Sequence, residues 1–391
     1  MKMMEAYLDN AATTKPFDEV RELVSEVMGT EYGNPSSLHR KGVEAEKRIR
    51  EAADAVAATL KCDRKNIIFT SGGTESNNMA VIGGSMAGRR RGRHIVTTCF
   101  EHAAVYEPCR YLEEFFDFEV TYVPVDGMGH VDPEQLRSSI REDTVLVSVM
   151  YVNNEVGAVL DIAGLGAAVK ESGRDILFHV DAIQAYGKLK INPKRLGTDL
   201  LSVSSHKIHG PKGVGFLYAA DGVRLHPLIH GGGQQRGWRS GTENVPGIAG
   251  LGLAASMMYQ DHDRVREQLY TRKEYLIRRL MEIDGVTIHA CDPAAVRDTA
   301  PHIISAGIEG VKSEVLLHAL EEKGVYVSSG SACSSNHPGI SSSLKAVGVK
   351  DSLLESTIRF SLSVHTTEEE LNYAVEQIKE LLPVLRRYVR K

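Results

Sequence analysis

The 391-residue sequence predicts an open α/β fold joined to a smaller α+β unit. Three observations predict it. Short apolar runs recur along the first two thirds of the chain, each closing on polar residues and leading into a helical period, the pattern of a mainly parallel sheet flanked by helices. One of them, TVLVSV at residues 144–149, is apolar almost throughout, as a strand covered on both faces must be. The polar closures also collect hydroxyls, imidazoles, a carboxylate and a lysine, so ligand groups gather at the carboxyl ends of the strands.

Composition narrows the class. The chain is 42% hydrophobic and 25% charged, ordinary for a globular protein, and its net charge of −5 gives no general attraction to nucleic acid or an anionic membrane. Its length points to two domains. The five cysteines, Cys62, Cys99, Cys109, Cys291 and Cys333, are odd in number and include no CxxC pair. Neither a disulfide framework nor a zinc site is expected, and a reducing compartment fits better. The opening MKMMEAYLDNAATT has no apolar signal core, and no run approaches membrane-spanning length, so a cytoplasmic location with no membrane partner is expected.

Residues 7–14 read as an extended lead-in with a polar end. GNPSS at 33–37 is a turn in which Ser36 or Ser37 can cap the following helix. Ile49, Ala52, Ala53, Val56, Ala57 and Leu60 give that helix one buried face. NIIFT at 66–70 is a strand running through SGGTESNN into a helix. Strand, glycine turn and helix start form an anion cradle, with free N–H groups, the positive dipole end and the Thr74 hydroxyl; plain helix capping is the simpler alternative. Residues 94–99 form another strand, after which His102 opens a helix. It is either a capping histidine or an imidazole stacked on a planar ligand and carrying protons.

Residues 118–123 read as an edge strand, and Asp132-Pro133 starts a helix. The buried strand 144–149 is followed by Asn153, Asn154 and Glu155, then a helix at 162–170. Residues 175–180 form a strand ending in Asp181 and Gln184. Residues 200–215, LLSVSSHKIHGPKGVG, begin as a strand and close on a Gly-Pro-Lys-Gly turn, holding Ser204, Ser205, His206 and Lys207 between. A lysine ending a buried strand is costly unless paired or consumed, for instance as a Schiff base with an aldehyde cofactor; a solvated loop lysine is the alternative. Thr74, His102, Asn154, Asp181, Gln184, Ser204, His206 and Lys207 all lie at strand ends, which surface decoration does not explain.

A long glycine-rich polar loop over 231–244 has no helix or strand period, as functional or interface loops do. A charged helix at 261–280 connects to the second unit. There, 286–289 is a strand, 302–304 is apolar and 312–323 is an amphipathic helix. The small, polar loop 329–339 contains Cys333, and 357–362 is a strand carrying Arg359. Thr367 with Glu370 forms a capping box before a final helix with Leu371, Ala374, Val375, Ile378, Leu381 and Leu382 on its buried stripe.

Ten motifs in order, YLDNAATT, GNPSSLH, FTSGGTESNN, the Glu101-His102 pair, VNNEVG, HVDAIQ, SSHKIHGPKGVG, RSGTEN, SSGSACSS and IRFSL, make the chain resemble the cysteine desulfurases of the NifS/IscS type. These are class V aminotransferase-like, fold-type I enzymes that use pyridoxal phosphate. The resemblance implies a mainly parallel seven-stranded sheet in a large cofactor-binding domain, residues 15–258, and a small α+β domain, residues 1–14 with 259–391, carrying the cysteine loop. It implies that Lys207 holds the cofactor and later moves protons, that Asp181 pairs with the ring nitrogen, that His102 stacks on the ring and that Gln184 bonds its phenolic oxygen. Gly73, Thr74, Ser204 and His206 would bind the phosphate. Ser205, where many relatives carry glycine, would crowd that phosphate or give it a further donor. Thr242 would reach the phosphate of the neighbouring subunit in a homodimer. Asn154, beside the cofactor, would hold the L-cysteine carboxylate together with Arg359. Cys333 would take the sulfur as a persulfide, leaving alanine, and pass it to an iron–sulfur scaffold, a tRNA-thiolation enzyme or a thiocofactor pathway. No resident metal site is implied, though Cys333 could act as a transient shared iron ligand with a scaffold. The alternatives are a selenocysteine lyase or another class V relative and, outside catalysis, a sulfur-carrier docking or scaffold protein.

Overall fold

A computed structural model describes residues 4–329 and 341–389. Its strands are β1 (Ala6–Tyr7), β2 (Ile67–Thr70), β3 (His94–Thr98), β4 (Glu119–Val123), β5 (Thr144–Met150), β6 (Leu177–Asp181), β7 (Leu200–Ser204), β8 (Gly215–Ala219), β9 (Val286–Ile288), β10 (Ile303–Ile308), β11 (Val325–Tyr326), β12 (Ser328–Ser329) and β13 (Thr357–Ser361). The large sheet has seven strands in the order β2-β8-β7-β6-β5-β3-β4. All neighbours are parallel except β8, which runs against both β2 and β7. β5 and β7 are buried at every residue, as apolar runs predict, whereas the edge strand β4 is half exposed.

Two histidines tie this sheet crosswise. His94 bonds Thr144 at 2.7 Å and Thr121 at 2.8 Å, bridging β5, β3 and β4. His179 bonds Ser148 at 2.8 Å and Ser202 at 2.9 Å, bridging β5, β6 and β7. Each imidazole thereby satisfies both ring nitrogens inside an apolar sheet.

Three local features differ from expectation. His39, not Ser36 or Ser37, caps the helix Arg40–Leu60, its ring nitrogen accepting from the Gly42 N–H. β8 was not legible as a strand, and neither was the helix Val245–Gln260, which is apolar on nearly every side and has no stripe for a periodicity argument to find. That helix packs between Asp18–Thr30 and Arg40–Leu60, where a Cβ on Gly252 would come within 2.6 Å of the Ala52 Cα. The helix after β2 runs from Gly73 through a π-helical turn at Met79–Gly83 to Gly88 without a break.

The second sheet is antiparallel, in the order β12-β13-β10-β9, and has its own apolar core, including Leu269, Leu276, Ile304, Phe360, Leu371 and Ile378. The expected capping box is present: the Glu370 N–H donates to Thr367 Oγ1 at 3.2 Å, and the Thr367 N–H to Glu370 Oε2 at 2.6 Å. Residues 6–17 lie between the two sheets. β1 pairs with β11, Asn10 bonds the Ser361 carbonyl, and the Thr14 and Phe17 N–H groups donate to the His206 and His209 carbonyls. No helix among the described residues is long and apolar enough to cross a membrane.

Candidate active site

The carboxyl ends of β2, β3, β5, β6 and β7 open on one cavity of about 420 Å³, closed on its far side by Asp9, Ala11, Ala12, Ser328 and Arg359. Gly73, Thr74, His102, Asn154, Asp181, Gln184, Ser204, His206, Lys207 and Arg359 all line it. A second cavity of about 370 Å³ adjoins it over Gly73, Thr74, Ser204 and His206. Ten of the thirteen residues singled out from sequence therefore meet at one place.

Three do not. Ser205 is fully buried with its hydroxyl turned toward Gly210, where an added Cβ would come within 2.0 Å of it, so it lines neither cavity and gives no donor there. Thr242 is exposed on its loop, away from the cavity of its own chain. Cys333 lies outside the described residues.

Lys207 sits in a single 3-10 turn, Ser205–Lys207, directly after β7. Its ammonium donates to the carbonyls of Ala11 at 2.6 Å and Ala12 at 2.7 Å. Lys188, wholly buried below it, donates to the Lys207 carbonyl; burial, with the Lys207 charge adding, brings Lys188 down to about 7.

Asp181 is 5% exposed. Its Oδ2 accepts from Asn77 Nδ2 at 2.7 Å and its Oδ1 from the Ile183 N–H at 3.0 Å. Burial raises its pKa, opposed by the Ile183 N–H, His102 and Asn77. His102 caps the helix Ala103–Phe116, with Nδ1 accepting from the Ala104 N–H at 3.0 Å, which leaves the proton of the neutral ring on Nε2. Enclosure lowers its pKa; Asp181 opposes this and Lys207 adds to it. Beneath it, Glu101 accepts from Thr98 Oγ1 at 2.5 Å and the Met150 N–H at 2.9 Å, and burial pushes it up to about 8.

At the cradle, Gly72 adopts φ +147°, which side chains disfavour, and a Cβ on Gly73 would meet Ile183 Cδ1 at 2.3 Å. His206 bonds Thr13 Oγ1 at 3.2 Å; burial, then the Lys207 and Lys212 charges, lower it to about 4. Across the cavity, Arg359 is 4% exposed, donating to the Asn154 carbonyl at 2.9 Å and to Asp9 Oδ1 at 2.7 Å. Gln184 donates to the Ala11 carbonyl at 2.9 Å and faces His302 at 3.2 Å.

Several supporting residues escaped the sequence reading: Asp9, Asn77, Lys188 and His302. Asp9 and Asn77 lie inside YLDNAATT and FTSGGTESNN, and Asn77 is one helical turn beyond Thr74, on a helix that starts at the cavity. Two further contacts frame neighbouring loops. Glu75 holds Arg239 at 2.9 Å, tying the 231–244 loop to the cradle. Glu155 accepts from Ser341 and, at 3.1 Å, from Ser343.

The donor set fits pyridoxal phosphate. A buried carboxylate with only neutral donors, Asn77 and Ile183, suits a protonated ring nitrogen. A lysine amine lies in the same cavity, and hydroxyls, an imidazole and a helix start at its side suit a phosphate.

Residues 6–373 match the family model for aminotransferase class-V. The chain is 44% identical over 383 residues to a cysteine desulfurase IscS of Dictyoglomus turgidum, covering 98% of this chain and 95% of that one. Among solved structures it resembles a NifS-like protein with a TM-score of 0.91 and 37% identity, covering 98% of this chain and 100% of the other. It also resembles SspA in complex with cysteine, with a TM-score of 0.80 and 31% identity over 93% of this chain and 100% of the other.

Proposed function

The chain belongs to the class V aminotransferases, among the cysteine desulfurases of the NifS/IscS type, and from that premise we propose that it converts L-cysteine to L-alanine and carries the released sulfur as a persulfide on Cys333. The observation that carries this reading is the convergence of Lys207, Asp181 and Arg359 on one cavity. Together they provide an amine, a ring-nitrogen counter-charge and a carboxylate fork for an amino acid.

Pyridoxal phosphate, when bound, supplies an aldehyde and an electron-accepting ring. Lys207 holds it through its amine, and Asp181 keeps its charge opposite the ring nitrogen. Thr74, Ser204 and His206, with the Gly73 and Thr74 N–H groups, hold the phosphate, and Gln184 donates to the phenolic oxygen. Arg359, fixed by Asp9, and Asn154 bind the substrate carboxylate. Lys207 and the Nε2 of His102 move protons. The Cys333 thiolate attacks the substrate sulfur: the S–S bond forms as Cβ–S breaks, and the electron pair stays on carbon, which is protonated to the methyl group of alanine.

The same reading makes the chain a cytoplasmic homodimer that serves an iron–sulfur scaffold or another sulfur acceptor. Met28, Tyr32, Leu38 and Val43 are exposed apolar side chains, which supports a partner subunit, and Glu75 holds the loop bearing Thr242 through Arg239. The separate sheets, and an apolar core drawn from residues 6–8 and 269–382, support a division into residues 15–258 and residues 1–14 with 259–391.

Alanine and persulfide formation from cysteine by the loaded enzyme tests the proposal. Lys207→Ala should lose covalent cofactor attachment, and Cys333→Ala should lose persulfide and turnover. Full desulfurase activity in Cys333→Ala would sink the persulfide route. A single-subunit mass in sedimentation would remove the homodimer.

A further inference from the structure

The inference rests on the reading of Gln184 as a donor to the cofactor's phenolic oxygen. The Ala11 carbonyl has no proton to give, and it accepts from both Lys207 Nζ at 2.6 Å and Gln184 Nε2 at 2.9 Å. A Gln184 amide turned the other way would set two acceptor oxygens against each other. The backbone therefore decides the amide's orientation, and its Oε1 faces His302 Nε2 at 3.2 Å. That nitrogen must donate, so the ring proton sits on Nε2 and Nδ1 is bare. Nδ1 indeed has no hydrogen-bond partner among the described residues. His302 is 1% exposed, and burial holds its pKa well below the ordinary value, which keeps a single ring proton. It stands at the start of β10, whereas Gln184 follows β6, so the bond crosses from the small sheet to the large one.

We propose that His302 is a positioning residue: its Nε2–H locks the Gln184 amide so that the second Nε2–H of Gln184, and not its carbonyl oxygen, is presented to the cofactor. A histidine kept only for packing has no reason to leave Nδ1 unpaired while spending its one proton on Gln184. The chain Ala11, Gln184, His302 sets donor against acceptor at each link, and Lys207 shares its first member.

The test is a double-mutant cycle on the holoenzyme, read by the pH midpoint of the bound cofactor's visible absorbance. His302→Leu and Gln184→Leu should each move the midpoint by about half a unit or more, in the same direction. The double variant should move no further than Gln184→Leu alone. His302→Asn, which still offers an N–H, should restore the wild-type value. An unmoved midpoint in His302→Leu, or a His302→Leu shift that persists undiminished in the Gln184→Leu background, overturns the proposal. An unmoved midpoint in Gln184→Leu with cofactor still attached removes the underlying reading of Gln184 as well. Independently of any variant, nitrogen NMR of the full chain without cofactor should find the Nε2–H tautomer at His302; the Nδ1–H tautomer overturns the lock.

Discussion

Single side chains here carry opposite kinds of cost. Ser205 is a buried hydroxyl with no partner among the described residues. Burying it unpaired costs free energy, and it does nothing visible for the cavity. Ser205→Ala should therefore hold or raise stability, by up to about 1 kcal/mol, with cofactor affinity unchanged. Urea unfolding and a cofactor titration check both, and a loss of either would show that the hydroxyl has a partner after all. Asp9 is the contrary case. Its carboxylate holds a guanidinium that is 4% exposed, so Asp9→Asn leaves Arg359 less firmly aimed. The expected result is a rise in KM for cysteine of about tenfold with kcat changed much less, the pattern of binding lost equally from ground and transition states. A fall in kcat at constant KM would place Asp9 in the chemistry instead.

At the level of elements, the helix beginning at Gly73 has little room at its first residue. Gly73→Ala drives a Cβ into Ile183 Cδ1 at 2.3 Å and to within 3.3 Å of Ser204 Cβ, both beside the phosphate cradle. Ile183 must swing aside, and cofactor affinity should fall about tenfold, measured by titrating the apoprotein; an unchanged Kd would show that Ile183 yields freely. Elements were legible where they had contrast. The stripe Ile49, Ala52, Ala53, Val56 and Leu60 announced its helix, and TVLVSV announced β5. Val245–Gln260 is apolar on nearly every side and buried along most of its length, so no periodicity betrays it. β8 follows a Gly-Pro-Lys-Gly turn closely, which hid its start. At the site, the residues facing the cavity were legible because their chemistry is unusual for strand ends. Their supports were not: the bond from Asp9 to Arg359 spans 350 positions, and nothing local points across such a gap.

For the molecule as a whole, buried titratable groups bound the working pH from both sides. Burial lowers His179 to about 3. The unfolded chain takes up that proton from about pH 6.5 downward while the native sheet refuses it, so stability present above 6.5 is lost as pH falls toward 3, by about 5 kcal/mol in all. Glu101 acts in reverse. Raised to about 8, it contributes stability fully present below the unfolded value near 4.5 and lost as pH rises through 8. Urea midpoints across pH 4–8 should therefore fall less steeply on the acid side in His179→Gln and on the alkaline side in Glu101→Gln. Slopes identical to wild type in either variant would remove that group from the account. The N-terminal segment is the other feature at this scale. Residues 6–14 supply the carbonyls that hold Lys207 and the carboxylate that holds Arg359, yet they pair with β11 and Ser361. On the ribosome, this segment is made first and Ser361 some 350 residues later. At about 5–20 residues per second that is a delay of roughly 20–70 s. The lysine pocket can close only once nearly the whole polypeptide has emerged, so a stalled or prematurely terminated nascent chain ending before β13 would bear its reactive amine without a finished pocket around it.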